Sequence, residues 1–127
     1  MAETQARSVL VIEDDSVLID LFQTILRQAG YEFQAARSAE AASKLVEDRK
    51  FDVVVCDLSV AGGEKVFHLV TNMRAQHPEI AILIVTGYTP ETIASRIGFH
   101  DIELLEKPFS PPELVRRISA LLHRKAA

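Results

Sequence analysis

Short, continuous apolar runs alternate along the chain with stretches whose apolar residues recur at helical spacing. Val9–Ile12 has the character of a strand covered on both faces. Behind it, Val17, Leu18, Leu21, Phe22, Ile25, Leu26 and Ala29 mark the inner face of a helix that Gly30 closes. Glu32–Ala36 predicts a second strand, and Ser38 the N-cap of a helix with Ala41, Ala42, Leu45 and Val46 on one face. Phe51–Cys56 is a third strand, ending at Asp57, and Ser59–Gly63 a loop punctuated by Gly62-Gly63. Val66, Leu69, Val70 and Met73 predict a third helix, stopped near His77-Pro78. Ile80–Val85 is a fourth strand, Thr89-Pro90 opens a short fourth helix, and Ile102–Leu105 is a fifth strand. Ser110-Pro111-Pro112-Glu113 is a capping box that launches a last helix on Leu114, Ile118, Leu121 and Leu122. Five strand–helix units without internal repetition predict an α/β fold: a five-stranded parallel sheet with helices on both faces. The pattern alone leaves the strand order open.

Composition narrows the function classes. A chain of 127 residues makes one domain, taken here as residues 8–124 between a disordered N-terminal tail, 1–7, and a C-terminal tail, 125–127. Its 14 basic and 18 acidic residues leave a net charge of −4, which argues against direct nucleic-acid binding. One cysteine, Cys56, excludes an internal disulfide framework and a multi-thiolate metal site. The longest apolar run, Ile80–Val85, is six residues, far short of a membrane span. Met1–Arg7 is polar and only Val9–Ile12 follows as an apolar run, so no signal peptide is expected and the protein is placed in the cytoplasm.

In a sheet of this kind, binding groups gather at the carboxyl edge of the strands. Strand one ends in Glu13-Asp14-Asp15, strand three in Asp57, strand four in Thr86, and strand five runs through Glu106 into Lys107-Pro108. Carboxylates crowded on one rim repel by roughly 4 kcal/mol per pair at about 4 Å and an effective dielectric of about 20. A hard divalent cation such as Mg²⁺, which needs only one or two protein carboxylates, relieves that repulsion, and Lys107 adds a fixed positive charge. Taken singly, each residue has a plainer role. Asp15 suits the first turn of a helix, Asp57 a strand end, Thr86 a β-branched strand position and Lys107 a solvated surface. Their joint occurrence at the ends of four strands favours a common site.

Val9–Asp15, Asp52–Ser59, Val85-Thr86 and Lys107-Pro108-Phe109 together resemble the receiver domain of bacterial two-component response regulators, over about residues 8–122. The resemblance, closest to the single-domain chemotaxis-regulator type, implies a flavodoxin-like (βα)5 receiver fold with sheet order 2-1-3-4-5. It implies that Asp57 is the phosphoacceptor, taking a phosphoryl group from a histidine kinase or a histidine phosphotransfer protein in a Mg²⁺-dependent reaction. Asp14 and Asp57 would ligate Mg²⁺ (Mn²⁺ can substitute), with the backbone carbonyl of Ser59 and, through water, Glu13. Lys107 and Thr86 would hold phosphoryl oxygens. The change in state is reported to an unknown downstream protein through the fourth helix, fifth strand and last helix, about residues 90–124.

This makes the chain a self-phosphorylating and self-dephosphorylating switch, not an enzyme acting on other substrates, and a homodimer is compatible with the type. Alternatives are a receiver module cut from a hybrid histidine kinase or a longer regulator, and a degenerate receiver that works without phosphate. A phosphatase with an aspartate nucleophile is disfavoured, because Ser59 stands where its acid would be. Three departures from the family are visible: Leu104 replaces the usual Tyr or Phe, the loop reads Val60-Ala61-Gly62-Gly63-Glu64-Lys65, and Tyr88 stands where access of water is controlled. His68, His77, His100 and His123 lack ligand spacing, Cys56 suits a small buried hydrophobe, and Arg116, Arg117, Arg124 and Lys125 suit a solvated helix face.

Overall fold

A computed structural model of the chain describes residues 7–58, 63–86 and 103–126. Its strands are β1 (Ser8–Ile12), β2 (Glu32–Ala36), β3 (Val53–Asp57), β4 (Ala81–Thr86) and β5 (Glu103–Glu106). The described helices are α1 (Ser16–Gln28), α2 (Ala39–Asp48), α3 (Gly63–Gln76) and a C-terminal helix, Pro111–Ala126. The strands form one parallel sheet in the order β2-β1-β3-β4-β5, the order that the resemblance implies. The fourth helix expected at Thr89-Pro90 lies outside the described residues.

Period-two alternation divides the core between the two faces of the sheet. Leu10, Ile12, Val54, Cys56, Ile82 and Ile84 pack with Ala42 and Val46 of α2 and Val66, Val70 and Met73 of α3. Val9, Val11, Val53, Val55, Leu83 and Val85 pack on the other side with Phe22 and Leu26 of α1 and Leu114 and Ile118 of the C-terminal helix. No helix among the described residues is long and apolar enough to cross a membrane.

The helix ends follow their capping chemistry. Asp15 Oδ1 accepts from the N–H groups of Val17 at 2.8 Å and Leu18 at 3.3 Å, and Ser38 Oγ accepts from Ala41 at 3.1 Å. Gly30, at φ 93°, closes α1 in the left-handed region; its N–H donates to Arg27 O and that of Tyr31 to Leu26 O, both at 3.0 Å. Asp15→Ala is expected to lower stability by about 1 kcal/mol, through loss of the cap. A shift of the urea midpoint with an unchanged slope is the measurement.

Several boundaries differ from the pattern along the chain. β3 begins at Val53 and not Phe51, because pairing with Val9 and Ala81 starts there, although Phe51 is buried. β4 runs on to Thr86, paired with Glu106 of β5. Gly63 opens α3 instead of ending the preceding loop. Arg7 is tied down by the acceptance of the Glu32 N–H at its carbonyl and by Asp52 at 3.8 Å, and the last helix continues to Ala126. The inner face expected of α1 is too wide: Phe22, Ile25 and Leu26 are buried, whereas Val17 is 75% and Leu21 48% exposed.

Candidate functional site

Three polar residues are buried among the described ones: Glu13, Asp57 and Thr86, at the carboxyl ends of β1, β3 and β4. Parallel pairing places these ends side by side. β3 lies between β1 and β4, so Asp57 stands at the centre of the row. The chain leaves β5 at Glu106, and Lys107 N–H donates to Thr86 O at 2.8 Å. From there Lys107 Nζ reaches Asp57 Oδ2, also at 2.8 Å, across a separation of 50 residues. The Lys107–Pro108 peptide bond is cis. Asp57 is fully buried, while Lys107 keeps about a third of its side chain in solvent. The ammonium thus keeps part of its hydration while it neutralises a carboxylate that has given up all of its own.

The three consecutive acids after β1 have separate tasks. The Asp15 carboxylate caps α1. Glu13 Oε2 accepts from the N–H groups of Asp14 at 3.0 Å and Asp15 at 3.2 Å. Glu13 Oε1 is buried without a hydrogen-bond partner. Asp14 is half-buried between them. The carboxyl of Glu13 is pushed up from 4.5 to about 8, by burial first and then by the hydrogen bond and charge of the neighbouring Asp57, against the two backbone donors. Two carboxylates only accept, so with both ionised Glu13 Oε1 has no donor, and a hydrogen bond to Asp57 forms only when one of the pair holds a proton.

A buried oxygen lacking a donor, set beside a second carboxylate, fits a hard cation. Mg²⁺ binds oxygen and keeps several waters, so Asp14 and Asp57, with Glu13 through water, would be a sufficient protein contribution. Among the described residues no group of three or more His, Cys, Asp and Glu converges so as to hold a metal ion by itself, so a cation here relies on water and on one or two carboxylates. Ser59, the fourth expected ligand, and Tyr88 lie outside the described residues.

A mostly apolar groove of about 490 Å³ reaches the site, lined by Leu18, Leu21, Phe22, Asp57, Lys107, Pro108 and Phe109. The aromatic rings of Phe22 and Phe109 meet across it at 6.1 Å. Hydrophobic periodicity places Leu21 in the core, but it borders this groove, as the excess of apolar residues over the first two turns of α1 allows. Arg37 is a second residue at the site that the hydrophobic pattern does not mark. Its Nη2 donates to Asp14 O at 3.0 Å and Ser16 Oγ at 3.1 Å. The only signal for it was a basic residue immediately after β2.

The remaining candidates have structural roles. Cys56 is buried, and burial together with the Asp57 charge pushes its thiol up to about 12, which keeps it unreactive. Arg117 and Arg124 both reach Glu103, at 3.4 and 2.8 Å, and Arg117 also donates to Leu104 O at 3.1 Å. These arginines therefore bind the C-terminal helix to β5 and are not merely a solvated face. Leu104 is half-buried on the α2–α3 side of the sheet, opposite Ile84 and one pleat before the Thr86–Glu106 pair. His68 and His123 are exposed, His77 Nδ1 lies 3.6 Å from Glu79, and His100 lies outside the described residues.

Comparison with known proteins agrees with the fold and its strand order. Residues 9–119 match the response regulator receiver domain family. The alginate biosynthesis transcriptional regulatory protein AlgB of Pseudomonas syringae pv. tomato is 31% identical over 130 residues, covering 94% of this chain and 29% of that protein. The chain thus spans under a third of the length of this curated relative. A response regulator receiver protein from Sinorhizobium medicae WSM419 superposes with a TM-score of 0.84 at 27% identity, covering 95% of this chain and 98% of that one. NtrX from Brucella abortus superposes with a TM-score of 0.82 at 28% identity, covering 96% of this chain and 27% of that one.

Proposed function

Because the chain belongs to the response regulator receiver domain family of two-component systems, we propose that it is a switch thrown by phosphorylation of Asp57. The observation that carries this reading is the buried Asp57 carboxylate, held by Lys107 at 2.8 Å beside the unpartnered Glu13 Oε1, at the end of an apolar groove. An oxygen of Asp57 attacks phosphorus, the bond to the donor's imidazole nitrogen breaks, and its electron pair leaves with the imidazole. The product is an acyl phosphate. Phosphoryl transfer asks mainly for positioning and neutralisation of the equatorial oxygens. Lys107 binds one of them after exchanging its bond to Asp57, and the Thr86 hydroxyl another.

The residues that would hold Mg²⁺ are Asp14, Asp57, the Ser59 carbonyl and, through water, Glu13. When bound, the cation neutralises charge on the carboxylates and on the incoming phosphoryl group. The apolar walls at Leu18, Leu21 and Phe109 support a protein donor, a histidine kinase or histidine phosphotransfer protein, because a small acyl phosphate has no use for them. Phosphorylation shifts a pre-existing balance between two surface states. The output region is residues 90–124; within it Glu103, Arg117 and Arg124 connect β5 to the C-terminal helix and so give any movement of β5 a path to the surface.

Intact mass spectrometry with acetyl phosphate tests this reading. One phosphoryl addition is expected in Mg²⁺ and none in EDTA; an addition that persists in EDTA, or an acid-stable one, would refute it.

A further inference from the structure

Arg37 is the one basic residue placed against the backbone of the acidic loop by a described hydrogen bond, and the function above does not use it. Its own backbone is rigidly held: Ala36 ends β2 on one side, and Ser38 caps α2 on the other. From this anchor Nη2 donates to Asp14 O and Ser16 Oγ, 23 and 21 residues away in sequence. The loop is latched to the same strand end a second time, since Glu13 N–H donates to Ala36 O at 2.9 Å. The Asp14 residue is consequently gripped on both of its backbone polar groups, its N–H by Glu13 Oε2 and its C=O by Arg37.

We propose that Arg37 is a positioning residue for the acidic pocket: by fixing the backbone of Asp14 it sets where that carboxylate stands for a divalent cation. The inference rests on the reading of the pocket as a Mg²⁺ site. Partners that orient a metal ligand without touching the metal are typically worth tenfold or more in affinity. Here the physics supplies a test of sign. Arg37 carries a positive charge at the edge of an acidic pocket, so on charge alone its removal tightens cation binding. As a positioning residue, its removal weakens binding.

Titration of the full chain with Mg²⁺ by calorimetry decides between these. Arg37→Ala is expected to weaken Mg²⁺ binding about tenfold despite the lost positive charge. Arg37→Lys keeps the charge but shortens the reach of the donor that holds both Asp14 O and Ser16 Oγ, and is expected to fall about threefold. Asp14→Ala marks the full loss of the ligand. Thermal melts in EDTA check the fold; if Arg37→Ala does not fold, the lysine variant carries the test alone. Unchanged or tighter binding in the arginine variants overturns the inference while leaving the Mg²⁺ site intact. If the unaltered chain binds no Mg²⁺, the underlying reading fails first and the inference falls with it.

Discussion

Replacement of Asp57 by asparagine is expected to abolish phosphoryl uptake completely while leaving the fold in place. Asparagine is nearly isosteric, and its carbonyl oxygen can still accept from Lys107 Nζ, which lies 2.8 Å from the carboxylate it replaces. What disappears is the anionic nucleophile, and no conformational freedom restores it. Asp57 is the carboxylate at the centre of the strand row, buried, paired with the ammonium and open to the groove. Glu13 and Asp15 are engaged with backbone N–H groups, so neither is an equivalent substitute. The measurement is intact mass after incubation with acetyl phosphate and Mg²⁺, with circular dichroism as the control for folding. A persistent acid-labile adduct in Asp57→Asn would place the nucleophile elsewhere, with Asp14 the next carboxylate to replace.

The second large effect concerns Glu13 and pH in the absence of divalent cations. Its carboxyl titrates near 4.5 when exposed and is pushed up to about 8 in the folded chain, chiefly by burial and then by Asp57. Between those values the folded chain holds a proton that the unfolded chain has released. Stability must therefore fall as pH rises through the window and level off above it. The loss is on the order of 1.4 kcal/mol for each tenfold difference in proton affinity, so about 5 kcal/mol at most. Glu13→Gln imitates the protonated form: its carbonyl oxygen accepts from Asp14 and Asp15, and its amide donates towards Asp57. The variant is expected to lack this slope and to be the more stable protein at pH 8 in EDTA. Urea midpoints at pH 5 and pH 8 decide it. Parallel slopes in the two proteins would mean that Glu13 is ionised in the fold.

Both results turn on burial, which divides what the linear chain discloses from what it does not. The alternation of apolar runs and helical stripes is enough for the types of the described strands and helices, since periodicity and capping act over a few residues. Ser38, Gly30 and Asp15 are local signals, and each does in the structure what its chemistry suggests. The ends of β3 and β4 were displaced by one or two residues because ladders are bounded by their partners, not by their own hydrophobicity. The exposure of Val17 and Leu21 was invisible for a related reason: a helical stripe shows which residues share a face, but not how far the neighbouring element covers it.

For the site, the order of residues along the chain is enough to say which types end the strands: three acids, then Asp57, Thr86 and Lys107, in an order that resembles one family. It also sufficed to expect a cation against that much negative charge. Only the tertiary structure divided the three acids into a buried acceptor with one unpartnered oxygen, a half-buried carboxylate and a helix cap. Only it brought Lys107 to Asp57 across 50 residues and Arg37 to the Asp14 carbonyl across 23. The physical reason is range. Propensity and capping are settled within a turn or two, whereas a parallel sheet sets distances between residues far apart in the chain through its strand order and register.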